Sequence, residues 1–169
     1  MRLFMRSALV VSIITLLTAC GWQLRGHVDL AADIGSLQVS SSDDELLRDL
    51  KSALLRNNIT LSDSDPDYRL NLEKMRFDRR TASVGSQILA AEYELNMQVA
   101  YQISQMKYKE GDKPYLDSAR ASTIRSYAYD PNNTLGKDQE ERQLRREMRN
   151  EIVQQILRRL ALISQQNEA

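Results

Sequence analysis

Few side chains in this 169-residue chain are of the types that carry chemistry, and their placement excludes most of it. There is one histidine, His27, and one cysteine, Cys20. A nucleophile–histidine–carboxylate relay needs an imidazole packed against the attacking group, but His27 lies ahead of the first regular element, where periodicity is weak. A metal centre of imidazoles and thiolates needs about three or four ligands, which two residues cannot supply. Glu92 and Glu94 share one face of an extended segment, so a carboxylate pair is geometrically open, although a solvated strand face accounts for them more simply. No glycine-rich phosphate loop occurs. The residues point away from an enzyme and from any bound cofactor. What is left is cationic: Lys107, Lys109 and Lys113 gather in one loop, and Arg120, Arg125 and Lys137 lie further on. Basic residues near loops can bind phosphates through charge-assisted hydrogen bonds. Arg145, Arg146, Arg149, Arg158 and Arg159 are expected to form a solvated helix face.

Cys20 fits another chemistry. Arg2 and Arg6 precede a continuous apolar run, Ala8 to Leu17, interrupted only by Ser12 and Thr15, and Thr18 and Ala19 supply small residues for a cleavage site. These are the three parts of a secretory signal, and the run is shorter than the ~20 apolar residues of a membrane span. Leu17-Thr18-Ala19-Cys20 resembles the lipobox of bacterial lipoproteins. The resemblance implies cleavage before Cys20 and acylation of its thiol and new amino group. Several acyl chains would hold the chain firmly to a membrane, since each buried methylene contributes about 0.8 kcal/mol. Gly21, in place of the aspartate that retains lipoproteins at the inner membrane, implies sorting to the outer one, with the folded part on the periplasmic side. Trp22, the only tryptophan, suits a membrane interface.

The expected divisions are a signal peptide at 1–19, a lipidated N-terminus and tether at 20–34, one domain at 35–164 and a frayed tail at 165–169. Losing Arg2 and Arg6 leaves 21 basic against 23 acidic residues, a net charge of about −2, too weak a field to argue for nucleic acid. With one acylated cysteine no disulfide is available, so stability must come from packing.

Hydrophobic periodicity sets the elements that would position the cations. Ser36 to Ser40 alternates as a strand. Ser42-Asp43-Asp44-Glu45 caps a helix whose stripe is Leu46, Leu50 and Leu54, ended by Asn57-Asn58. Asp63 to Asp67 is a turn cluster. Tyr68 to Leu72 alternates again, and Met75 and Phe77 continue on the opposite parity, which predicts a bulge near Glu73-Lys74. From Ala91 to Ser104 apolar and polar residues alternate, with Ala100 the exception. A loop from Lys107 to Pro114 leads to a fourth strand, Tyr115 to Tyr129. After a break at Asp130 to Asn133, a helix is expected from about Lys137 to Ile163, its stripe running Leu144, Met148, Ile152, Ile156, Leu160, Ile163. Glu141 and Arg145 form a favourable (i, i+4) pair.

The order βαβββα predicts an α+β fold, a two-layer sandwich of a four-stranded mostly antiparallel (mixed) sheet with two helices on one face. The first crossover is parallel and the last three strands form a meander. The uncovered face must be solvated or covered by a partner.

Several stretches resemble one family. Cys20-Gly21-Trp22-Gln23-Leu24-Arg25 is similar to the mature N-terminus of the LptE family of LPS-assembly lipoproteins. Thr81-Ala82-Ser83-Val84 and Ala91-Glu92-Tyr93 resemble that family's central hairpin. Arg125-Ser126-Tyr127, Asp130-Pro131, Leu135-Gly136-Lys137-Asp138 and Arg146-Glu147-Met148 resemble its last strand and second helix. The resemblance implies a non-enzymatic subunit that plugs the large outer-membrane β-barrel LptD, binds lipopolysaccharide and assists its delivery to the outer leaflet. It also implies lipid-contacting basic residues in the central hairpin and at the start of the second helix. Lys137 matches the second position. Ser86 stands at the first, with Arg79 and Arg80 the nearest substitutes and Arg125 on the neighbouring strand. The rival expectations are a periplasmic lipid carrier, which needs an apolar groove between helices and sheet, and a structural outer-membrane lipoprotein without a barrel partner. For peptidoglycan attachment the C-terminal stretch Gln165 to Ala169 offers no terminal lysine.

Overall fold

The computed structural model describes residues 34–84, 90–108, 111, 114–128 and 134–166. The expected signal and the expected lipidation site Cys20, together with Trp22, the loop at 85–89 and residues 167–169, lie outside the described residues.

The elements are β1 (Ser36–Ser41), α1 (Asp44–Arg56), β2 (Thr60–Leu61), β3 (Tyr68–Leu72), β4 (Arg76–Val84), β5 (Ala90–Gln105), β6 (Leu116–Ala128) and α2 (Thr134–Gln166). Helix α1 starts where expected because the Asp43 carboxylate accepts the Leu46 N–H at 2.9 Å, meeting a donor the helix leaves unpaired. It stops at Asn57-Asn58. Asn58 takes a left-handed φ of 59°, which asparagine tolerates better than most residues. The chain then folds back so that the Ile59 N–H reaches the Leu54 carbonyl at 3.1 Å and Ile59 is buried.

The sheet has six strands, in the order β2-β1-β3-β5-β4, with β6 on the other edge of β5. β1 is parallel to β2 and β3, and β5 is antiparallel to β3, β4 and β6. The α+β class, the mixed sheet and the parallel first crossover stand. The four-stranded sheet and the order βαβββα do not, for two reasons. β2 is two residues long and too short to show a period. The second expected strand is two strands, β3 and β4, lying one after the other along the same edge of β5.

The junction of β3 and β4 carries the bulge. Leu72 pairs with Tyr101 and Arg76 with Gln98, so four steps on one side oppose three on the other. Glu73 still donates its N–H to Ala100 at 2.9 Å. The excess residue falls after it and reverses the side-chain parity. Leu70 and Leu72 face the helices, and beyond the bulge so do Phe77 and Arg79.

Both helices cover that face. Leu37, Leu70, Leu95, Met97 and Ile103 from the sheet meet Leu46, Leu50 and Leu54 of α1 and Met148, Ile152 and Ile156 of α2, all essentially inaccessible. The opposite face carries Gln38, Ser40, Asn71, Asn96, Gln98 and Gln102, none of them buried. The arginines of α2 are not merely a solvated face. Arg149 reaches Glu45 at 2.7 Å and Asp49 at 2.6 Å on α1, and Arg159 reaches Asp117 on β6 at 2.7 Å. The loop lysine Lys107 is held by Asp65 at 2.8 Å and Asp67 at 3.1 Å. Asp67 in turn accepts the N–H and the hydroxyl of Ser36 at 2.7 Å each. A Cβ on Gly35, whose φ is 62°, would collide with that carboxylate.

Leu95 has no exposure and Gln98 faces the open side. Leu95→Ala is expected to cost ~2–5 kcal/mol, and Gln98→Ala under ~0.5 kcal/mol, in urea unfolding. Equal costs would mean that the buried face is misassigned.

Candidate functional site

Register places the predicted cations. Arg79, Leu95 and Arg125 stand in one cross-strand row on the helix-facing side, and Arg80, Glu94 and Ser126 in the next row on the other. Arg79 and Arg125 therefore meet α2, and Arg80 faces away from it. Lys137 belongs to the first turn of α2, with its side chain outside the described residues.

The contacts centre on Glu141, one turn beyond Lys137. Its carboxylate accepts from Arg79 at 3.0 Å, from the Tyr127 hydroxyl at 2.8 Å and from Arg145 at 2.6 and 3.1 Å. Aromatic rings back the two guanidiniums. Arg145 lies 3.8 Å from the Phe77 ring centre and Arg79 5.0 Å from that of Tyr93, within reach of cation–π attraction. The Tyr93 and Tyr127 rings are 5.7 Å apart. Ten residues along α2, Glu151 accepts from Arg125 at 2.6 Å and from the buried Thr123 hydroxyl at 2.8 Å. On the opposite face Arg80 pairs with Glu94 at 2.8 Å.

Burial pushes the Glu141 carboxyl upward, but hydrogen bonds from Arg145, Tyr127 and Arg79 outweigh it and hold the group below its ordinary value. The Tyr127 hydroxyl moves up to about 12, through burial and then its bond to Glu141. The bond to Glu141 also raises Arg79. The cluster is thus a neutral phenol and two fixed cations around one fixed anion. It locks the first turns of α2 to the end of the sheet and so sets where the Lys137 backbone stands. Nothing in it is poised for proton transfer.

Sequence reasoning singled out Arg79, Arg80, Arg125 and Lys137, and the fold brings Arg79 and Arg125 together with α2. It missed Phe77, Tyr127 and the central role of Glu141. Two signals were present: the (i, i+4) spacing of Glu141 and Arg145, and the parity change that turns Phe77 and Arg79 to one side. Among the described residues no group of three or more His, Cys, Asp or Glu could hold a metal ion, and no helix is long and apolar enough to cross a membrane.

Comparison with known proteins gives a consistent result. A family model described as LptE, lipopolysaccharide-assembly, matches residues 34–160. The LPS-assembly lipoprotein LptE of Photorhabdus laumondii is 31% identical over 160 residues, covering 92% of this chain and 85% of its own. That of Yersinia enterocolitica is 30% identical over 163 residues, covering 92% and 75%. Among solved structures, the rare lipoprotein B of Shewanella oneidensis superposes with a TM-score of 0.70 at 28% identity, covering 80% of this chain and all of the other.

Two pH limits follow from the cluster. Glu141 contributes stability above the ordinary glutamate range, and the contribution is lost as pH falls through its depressed value. Tyr127 contributes fully below pH about 10 and loses its contribution as pH rises towards about 12, by ~2–3 kcal/mol. Glu141→Gln is expected to cost ~1.5–3 kcal/mol at neutral pH and to flatten the acid limb. Urea midpoints measured across pH test this; an acid limb unchanged in the variant would place the sensitivity elsewhere.

Proposed function

This chain belongs to the LptE family of lipopolysaccharide-assembly proteins, and on that premise we propose that it is a plug subunit of an LptD-type outer-membrane β-barrel that binds lipopolysaccharide. Its role is in lipopolysaccharide assembly as an envelope lipoprotein. We place it on the periplasmic side of the outer membrane, anchored through acylated Cys20, and without catalytic activity of its own.

The observation that carries the plug is the division of the sheet. One face is sealed by two helices, and the other is a broad surface of Gln, Asn, Ser and Arg that no described element covers. The lumen of a transmembrane barrel is polar, so such a face complements it without burying unmatched groups. A lipid carrier would instead need an apolar groove between helices and sheet. Among the described residues that space is filled by side chains at or near zero exposure.

For lipid contact the reading centres on Lys137. The first turn of a helix offers unpaired N–H groups to an anion, and Lys137 contributes a positive charge to that turn. Asp138, Glu140 and Glu141 would oppose a phosphate there, but Glu141 is already neutralised by Arg79 and Arg145. Arg79, Arg80 and Arg125 complete the candidate set. Each holds one carboxylate, yet their side chains stay 50%, 73% and 44% exposed, and a guanidinium has five donors.

Lys137→Asp is expected to weaken lipopolysaccharide binding at least about tenfold, less at high salt, with barrel co-purification unchanged. Undiminished affinity at low salt would remove Lys137 from the contact. Intact mass of membrane-extracted protein is expected to show a chain starting at acylated Cys20. An unmodified Cys20 would remove the basis for the anchor.

A further inference from the structure

The polar face is not flat. Where β3 gives way to β4, the chain at Lys74–Met75 leaves the regular edge of β5, just past the Glu73 hydrogen bond to Ala100, the one break in that strand's polar alternation. Together they open a depression of about 610 Å³ floored by Ala100, within the ~300–1,000 Å³ of small-molecule sites. Amides of Asn71 and Gln102 and the Ser118 hydroxyl line one part. A continuation with the same floor, shared with Glu73 and Arg120, brings in Lys74, Arg76 and Gln98.

Its cations differ in pairing from the four basic residues already placed in ion pairs. Arg79, Arg80, Arg125 and Lys107 each hold a carboxylate. Lys74, Arg76 and Arg120 form no ion pair with any described residue, and all three are exposed. Glu73 is the only carboxylate in the lining, which leaves an excess of positive charge. The Asn71 side-chain oxygen is taken by the Ser40 hydroxyl at 2.6 Å, leaving its amide NH2 as a donor.

We propose that this depression is a second lipopolysaccharide contact, which receives a phosphorylated sugar of the glycolipid head. This contact presupposes the lipopolysaccharide binding proposed above and lies apart from Lys137. Guanidinium groups take phosphate oxygens in paired hydrogen bonds, and the amides and hydroxyl match sugar hydroxyls, which both donate and accept. The concavity and the uncharged donors favour a sugar phosphate over an acidic protein segment, which needs only the cations.

The test compares purified lipopolysaccharide with the same material after phosphatase treatment, binding to the full chain in detergent. Arg76→Gln with Arg120→Gln is expected to weaken the phosphorylated form at least about tenfold and to leave the dephosphorylated form unchanged. Such a cycle isolates the coupling between arginine and phosphate. Ala100→Gln, which fills the floor and leaves every charge in place, is expected to weaken both forms. The proposal is overturned if the double variant binds both forms as the wild type does, or loses both equally. It is equally overturned if only barrel co-purification suffers, which would make the depression a seat for an acidic segment of the barrel. Loss on Lys137→Asp with none in the double variant would overturn this site alone. A wild-type chain that binds neither form would overturn the reading beneath it too.

Discussion

One excess residue between β3 and β4 decides which way the following side chains point. Because strand side chains alternate, a one-residue insertion exchanges the two faces of everything beyond it. Before it, Leu70 and Leu72 enter the core; after it, Phe77 and Arg79 turn to the helix side. Without the insertion Arg80 would face α2, Arg79 would face outward, and Glu141 would lose a donor. The same excess falls just after the Glu73–Ala100 hydrogen bond, beside the depression on the opposite face. One backbone irregularity therefore sets up the clamp that fixes α2 and borders the concavity in the polar surface.

The clamp is costly to leave incomplete. A nearly buried carboxylate loses most of its hydration, and only several hydrogen bonds to its charged form make that tolerable. Glu141 has three donors, and two of them are themselves backed by aromatic rings. The arrangement matters because α2 is long, 33 residues or ~50 Å at 1.5 Å per residue. Its other polar anchors are spread along it and reach different elements: Arg149 to α1, and Glu151 and Arg159 to β6. Apolar packing places the helix on the sheet, while these pairs fix its register and the position of its first turn.

Periodicity made much of this legible. The stripes of both helices, the alternation of β5 and the opposed parities of Leu72 and Phe77 are local patterns, and each has its counterpart in the fold. What escaped was non-local or too short. β2 has two residues and no period. The bulge was expected, but not that it would divide one strand into two. Arg149 looked like a solvated residue because Glu45 and Asp49 lie about a hundred positions away, beyond any local rule. Ala100 was visible as an exception, and only the pairing of Arg120 beside it and the bulge opposite give the exception a consequence. At the candidate site, residue types were legible and pairings were not: Arg79, Arg80 and Arg125 all carry partners inside the fold.

The sheet ends at β6 on one side and at β4 and β2 on the other. β6 is a 13-residue edge strand, and an exposed edge invites another strand to pair with it. Here it is guarded at its middle. The Gln155 side chain accepts the Ser122 N–H at 3.1 Å and donates to the Ser122 carbonyl at 2.9 Å, so one amide from α2 occupies the place of a neighbouring strand's peptide. Two residues on, Arg125 takes the outward carbonyl of Ile124 at 2.9 Å. A strand added along β6 would have to displace both, and Arg125 is also bound to Glu151. The open polar face meets no such obstacle, being already furnished with amides, hydroxyls and unpaired cations. Along β6, then, the surface left open is the polar face rather than the strand edge.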